Sequence, residues 1–187
     1  MWLLSLGVLL FCMTHLMPSM APGIKRTLVS RVGENGYKGL FSLTLLVGIA
    51  CIVVGWRGTT IAYLYQPDPA LRHLALGLIG VAFLLMVAAS RATRIKRIVR
   101  HPQLTGVLVW ASAHLLLNGD NRSVVLFAAL AAWSALEMVT ISRREGVWIK
   151  ADVPPWTSEG VTVAIACAVI AVVTALHPYF TGVPVLL

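Results

Sequence analysis

The chain has 187 residues, of which 58% are hydrophobic and only 12% are charged, and its mean hydropathy is +0.85. An ordinary soluble domain carries about 25% charged and about 45–50% apolar residues. The composition therefore excludes a disordered chain, a disulfide-rich secreted scaffold and a typical cytosolic enzyme. It predicts an all-α fold, a polytopic helix bundle that sits in a lipid bilayer, and the length predicts a single domain over residues 1–187.

Six apolar segments have roughly the length of a membrane span. A span takes about 20 residues, within a range of about 17–25, and by this measure the first and fourth segments are short. Turn residues and prolines separate most of the segments. We predict about six transmembrane helices, at residues 2–17, 39–56, 71–89, 103–117, 123–141 and 161–176.

The net charge of +8 is concentrated in alternate connections between these helices. The first, third and fifth connections hold 12 of the 15 Lys and Arg residues, and the other three are Arg57, Arg72 and Arg122. Basic residues gather in cytoplasmic loops, so we predict that both termini are non-cytoplasmic. The same placement explains the positive charge without nucleic acid as a partner. The first helix lacks a basic leader and a clear cleavage site, so we expect it to be retained.

Two histidines lie inside apolar segments, where a polar side chain is costly and often functional. They are His15 in the first segment and His114 in the fourth. Imidazole is a common ligand of haem iron, and two histidines on different helices of a bundle can hold a b-type haem. His15 and His114 are therefore candidate metal ligands. Ordinary packing of both histidines is the alternative.

A stripe of three residues accompanies His114 on the fourth helix. Gly106, Trp110 and His114 recur at steps of four residues, so they share one helix face. A small residue, an indole and an imidazole on one face suit a planar aromatic ligand, which makes Gly106 and Trp110 candidate cofactor-binding residues. The alternative is structural, because a glycine also allows two helices to cross closely.

Glu137 is an acidic residue near the cytoplasmic end of the fifth predicted helix. A carboxylate at such a depth usually pairs with a cation, and Arg143 and Arg144 follow within two turns. We predict an ion pair between Glu137 and one of these arginines. Contact with a ligand near the cytoplasmic face is the alternative.

The motifs around these residues resemble those of the NnrU family. The resemblance extends over nearly the whole chain in length, number of helices and position of the motifs. The matching residues are Arg100-His101-Pro102-Gln103, Gly106, Trp110, Ala113-His114, Asn118-Gly119, and an early helix with Phe11-Cys12-Met13-Thr14-His15.

The resemblance implies a multi-pass protein of the bacterial inner (cytoplasmic) membrane that serves denitrification. It implies nitrite and nitric oxide reductase components as protein partners. The plant 15-cis-zeta-carotene isomerase is similar to this family, and this similarity implies a haem b held by two histidines, which correspond to His15 and His114. A cysteine three residues before the second histidine of that enzyme is replaced here by Ala111. Redox or isomerase-type chemistry on a lipid-soluble substrate is implied, and whether the chain is an enzyme stays open.

A second resemblance concerns the entry to the fourth helix. Arg100-His101-Pro102 followed by Gly106 is similar to membrane methyltransferases such as isoprenylcysteine carboxyl methyltransferase, although Leu104 stands where an aromatic residue is expected. This implies an alternative S-adenosylmethionine site at the cytoplasmic face, formed by Arg100 and His101 with Glu137 or Glu145. A non-enzymatic assembly factor for nitrogen-oxide reductases is the third hypothesis.

Overall fold

The computed structural model describes residues 1–182 and 185, apart from the side chain of Phe180, and in this part of the chain it has six α-helices. All of them except α4 are long and apolar enough to cross a membrane, so the chain is a multi-pass membrane protein. The all-α prediction with six helices is confirmed. The helices are α1 (Trp2–Met20), α2 (Pro22–Gly58), α3 (Arg72–Ala89), α4 (Pro102–Leu117), α5 (Asn121–Glu145) and α6 (Trp156–Thr181).

The second helix starts much earlier than the apolar pattern indicates. It begins at Pro22 and is broken at Gly33, whose φ of 74° is a conformation that glycine adopts at little cost. Residues 22–32 carry Lys25, Arg26 and Arg31. They therefore lack the continuous apolar run by which the span at 39–56 was predicted.

The helices pack in a linear order that places α5 between α1 and α4. Helix α2 packs on α1, α1 on α5, α5 on α4, α4 on α3, and α3 on α6. Two close crossings depend on glycine: a Cβ on Gly7 would come within 2.6 Å of the Gly48 carbonyl oxygen, and a Cβ on Gly106 within 2.8 Å of the Ala82 carbonyl oxygen. Small residues permit such backbone contact within a bilayer.

The connections lie alternately at two ends of the bundle. We call the end that carries the α1–α2, α3–α4 and α5–α6 connections the basic end. At the opposite end the N-terminal ammonium donates to Thr59 Oγ1 at 2.7 Å, and Leu64 N–H donates to the Gly119 carbonyl at 2.8 Å. This alternation agrees with the charge pattern. That the basic end faces the cytoplasm stays a prediction.

Helix α4 is short for a span, at 16 residues or about 24 Å. Its C-terminal end is hydrogen-bonded by the α2–α3 connection. The Tyr65 hydroxyl donates to the carbonyls of Leu115 and Asn118, and the Asn118 amide donates to the His114 carbonyl at 2.9 Å. The last carbonyls of a helix have no partner within it and must find one elsewhere in an apolar medium. These bonds give partners to carbonyls at the C-terminal end of α4.

Candidate functional site

A cavity of about 730 Å³ lies among α1, α4 and α5 and extends to the basic end of the bundle. The connection before α4 and the one after α5 form its outer part. Ligand pockets of drug-sized molecules measure about 300–1,000 Å³, so the cavity is large enough for a cofactor. Its wall includes His15 from α1, Trp110 from α4, and Trp133 and Glu137 from α5.

His15 stands in the cavity wall with one ring nitrogen fixed. Its Nδ1 lies 2.9 Å from the carbonyl oxygen of Phe11, one turn earlier on α1. Because a carbonyl oxygen only accepts, Nδ1 is the donor in this contact, and in the neutral form of the ring Nε2 then has the lone pair. Metal-ligating histidines typically donate their other nitrogen in this way. The ring packs against the aromatic rings of Phe11, Phe41 and Trp133 at centroid distances of 4.4–5.6 Å.

His114 repeats this arrangement on α4 but lies outside the cavity wall. Its Nδ1 is 2.9 Å from the carbonyl oxygen of Trp110, so its Nε2 also keeps the lone pair. Its ring packs on Phe127 at 4.4 Å and on the Trp110 ring at 4.6 Å. Trp110 therefore separates His114 from the cavity that His15 faces.

Helix α5 gives the difference in depth between the two histidines. His15 contacts Trp133 and His114 contacts Phe127. These aromatic residues are six positions apart, which is about 9 Å along a helix and about 120° around it. In this arrangement the two imidazoles contact different faces of α5.

Two buried polar atoms of the cavity-lining side chains have no hydrogen-bond partner among the residues that the structure describes. They are the buried indole Nε1 of Trp133 and the buried Nε of Arg100, and both side chains line the cavity. A buried donor without a partner costs about 1–3 kcal/mol. Both donors are therefore unsatisfied within the described part of the chain.

Glu137 is buried, with 7% of its surface exposed, and lines the cavity. Its Oε2 accepts a hydrogen bond of 2.8 Å from the Ser19 hydroxyl on α1. Glu137 makes no ion pair with Arg143 or Arg144 in the described part of the chain, so that prediction is wrong. Arg144 instead contacts Glu145 and the Pro18 carbonyl, because it lies two turns beyond Glu137 at the end of α5.

The outer part of the cavity is basic. Lys96, Arg100 and His101 line it, and Arg100 makes an ion pair of 3.6 Å with the half-exposed Glu145. His101 Nε2 lies 2.8 Å from the Ser142 hydroxyl. Burial lowers the pKa of His101, the Arg100 charge lowers it further, and Glu145 acts in the opposite direction. The lowered pKa favours the neutral form of His101, so the basic character of this part of the cavity comes from Lys96 and Arg100.

Residues of the two sites that were predicted separately from the sequence line one cavity. His15 and Trp110 from the haem hypothesis share it with Arg100, His101 and Glu137 from the alternative hypothesis. Gly106 is buried against α3 and does not line it. Sequence reasoning missed Ser19 as the partner of Glu137. The available signal was its position four residues after His15, on the same face of α1.

Comparison with protein-family models gives a match to the NnrU protein family over residues 3–185. Searches of curated proteins and of solved structures give no match. The family match covers the cavity and all six helices, apart from the first residue of α1.

Proposed function

The chain belongs to the NnrU protein family, and from this premise we propose that it is a haem-binding membrane protein of nitrogen-oxide metabolism. The observation that carries the proposal is His15, whose imidazole lines the cavity with Nδ1 bonded to a carbonyl and Nε2 free. Nitrogen-oxide metabolism follows from the resemblance to the family rather than from the geometry. A bacterial inner-membrane location and reductase components as partners belong to the same proposal.

The residues around the cavity fit a b-type haem in three respects. His15 would supply a nitrogen ligand, aromatic and aliphatic side chains would supply apolar walls, and Lys96 and Arg100 would supply positive charge at one end. Haem is itself an apolar disc with two carboxylates at one edge. When bound, it supplies an iron that can carry an electron or bind a small ligand.

The roles of the chain's own residues then follow from their positions. The Phe11 carbonyl holds the His15 ring in the orientation that presents Nε2. Trp110 and Trp133 contribute large apolar surfaces to the cavity wall, and the buried Trp133 Nε1–H has no hydrogen-bond partner among the described residues. Glu137, held by Ser19, places a carboxyl group in the cavity wall.

His114 is the predicted second ligand, and its position makes the two histidines unequal. It lies outside the cavity wall, about 9 Å beyond His15 along α5. A bis-histidine site therefore requires a shift of α4 relative to α1. His15 needs no such shift, so His15 is the histidine that would hold the haem in this arrangement of the helices.

The absorption spectrum of protein purified from haem-replete cells tests the proposal. We expect a Soret band, and α and β bands on reduction. His15→Ala should abolish the bound haem, whereas His114→Ala should retain haem with a spectrum moved toward the high-spin form. His73→Ala, on the exposed first turn of α3, is the matched control and should change nothing. A colourless wild-type preparation would refute the proposal.

S-adenosylmethionine binding is the second candidate, favoured by Arg100, His101 and Glu137 lining one cavity. Calorimetry of the purified protein with S-adenosylmethionine tests it. Binding that is lost in Arg100→Gln and His101→Ala would support a methyltransferase-like enzyme, and no measurable heat would refute it. A colourless preparation that co-purifies with a reductase subunit would instead support the assembly-factor hypothesis.

A further inference from the structure

The five basic residues of the α3–α4 connection differ in what they contact. Three of them serve the packing of the basic end: Arg91 donates to Thr162, Arg94 stacks on the ring of Trp156, and Arg97 donates to the carbonyl of Ala151. The remaining two, Lys96 and Arg100, line the cavity. The connection therefore supplies two cationic side chains to the cavity, and neither makes a packing contact like those of the other three.

These two cations are poorly satisfied by the described residues. Lys96 has no ion pair there, and the Nε of Arg100 is buried without a hydrogen-bond partner. The one acidic partner of Arg100 is Glu145, at 3.6 Å and with 52% of its side chain exposed. An exposed pair of this kind is weak. A carboxylate that enters the cavity can compete for both cations.

The position of each lining residue along the length of the cavity follows from the residue of helix α5 that it contacts. Arg100 and His101 lie at the level of Ser142 and Glu145, Glu137 lies deeper, and Trp133 beside His15 lies deeper still. Ser142 and Trp133 are nine residues apart, which is about 13 Å along the helix. A ligand with an anionic edge and an apolar metal-bearing centre matches this order.

We propose that Lys96 and Arg100 bind the two propionate carboxylates of the haem. The porphyrin then stands with its carboxylate edge at the basic end and its iron at the level of His15. The inference rests on the proposed haem-binding function, and it adds the orientation of the haem and the residues that select for its free carboxylates. Charge-assisted hydrogen bonds from the two side chains supply this selection.

Two porphyrins that differ only at the propionates test this assignment. Full-length protein is expressed under haem starvation, purified, and titrated with haemin and with haemin dimethyl ester, in which the negative charges are absent. Soret absorbance and quenching of tryptophan fluorescence report binding. Because one charge-assisted bond corresponds to roughly tenfold in affinity, the wild type should prefer haemin by about tenfold or more.

Variants then identify the side chains that cause the preference for haemin over its dimethyl ester. Lys96→Gln and Arg100→Gln should each reduce the haemin-to-ester affinity ratio by about three- to tenfold, and the double variant should bring it close to one. Arg100→Lys, which keeps the charge, should retain part of the preference. Lys38→Gln is the matched control, because Lys38 is exposed and pairs with Glu34 on α2, and it should leave the ratio unchanged.

The outcomes separate this inference from the function on which it rests. Wild-type protein that binds neither porphyrin would overturn both. Protein that binds haemin through His15, but whose haemin-to-ester ratio stays the same in the double variant, would overturn the propionate assignment alone. Because the readout is a ratio within each variant, a general loss of folded protein does not imitate the expected result.

Discussion

Asp120 is a single residue that fixes the start of α5. Its carboxylate accepts hydrogen bonds from the backbone N–H groups of Arg122 and Ser123 and from the Ser123 hydroxyl. It also pairs with the Arg122 guanidinium at 3.3 Å, and Arg122 in turn stacks on the ring of Trp56 on α2. Asp120 therefore caps α5 and, through Arg122, links it to α2 at the end of the bundle opposite the basic end.

We predict that Asp120→Ala destabilises the protein by at least about 1–2 kcal/mol, the usual loss for a helix N-cap. Asp120→Asn should cost less, because an amide oxygen still caps the helix. Asp68→Ala is the control, since Asp68 caps only an exposed 3₁₀ turn. Thermal unfolding midpoints in detergent measure all three. An Asp68→Ala loss as large as that of Asp120→Ala would contradict the assignment.

The pH dependence of this contribution follows from the pKa of Asp120. Burial alone raises it, but hydrogen bonds from Ser123 and Arg122 and the Arg122 charge outweigh burial, so the pKa is below its ordinary value. A depressed folded-state pKa gives stability that is present above the unfolded pKa, about 4, and is lost as the pH falls through the folded value. The gap between wild type and Asp120→Asn should therefore narrow below about pH 4.

Among the elements, α5 decides how the candidate site is arranged, and the sequence does not reveal this. Apolar runs predicted six helices, because burial in lipid imposes length and composition on each span. They carry no information on which helices are neighbours. The sequence therefore identified His15 and Glu137 separately, and only the packing of both α1 and α4 on α5 places them in one cavity. The same packing places His114 on another face of α5.

The crossing of α3 and α4 gives a prediction that separates packing from binding at Gly106. A Cβ there would lie 2.8 Å from the Ala82 carbonyl oxygen and from Met86 Cγ. Gly106→Ala should therefore force the helices apart and cost about 1–3 kcal/mol, as overpacking does. Gly77→Ala on α3 is the control, because nothing lies within 4 Å of that position, and it should be neutral or stabilising.

Thermal stability and haem content measured on the same preparations distinguish the two roles of Gly106. If Gly106 serves helix packing, Gly106→Ala should lower the unfolding midpoint, and the haem affinity of the protein that remains folded should change little. A loss of haem affinity at an unchanged midpoint would instead place Gly106 in the cofactor site, as the spacing of Gly106, Trp110 and His114 allowed.

At the scale of the whole molecule, the two ends of the bundle differ both in charge and in the contacts between their connections. By the boundaries predicted from the sequence, the connections at the basic end hold 12 of the 15 Lys and Arg residues. The basic end also holds the outer part of the cavity with Lys96 and Arg100. The opposite end is held by hydrogen bonds between connections, such as that from Leu64 to Gly119. A ligand that enters through the basic end therefore comes from the side that the positive-inside rule assigns to the cytoplasm.

Cysteine labelling tests this orientation. With Cys12, Cys51 and Cys167 replaced by serine, single cysteines are placed at Lys150 and Tyr63, exposed residues at the basic and opposite ends. A membrane-impermeant maleimide should label Tyr63→Cys in intact spheroplasts and Lys150→Cys only in inverted vesicles, since the charge asymmetry is strong. The reverse pattern would place the basic end outside the cell. Any ligand of the cavity would then have to enter from outside the cell.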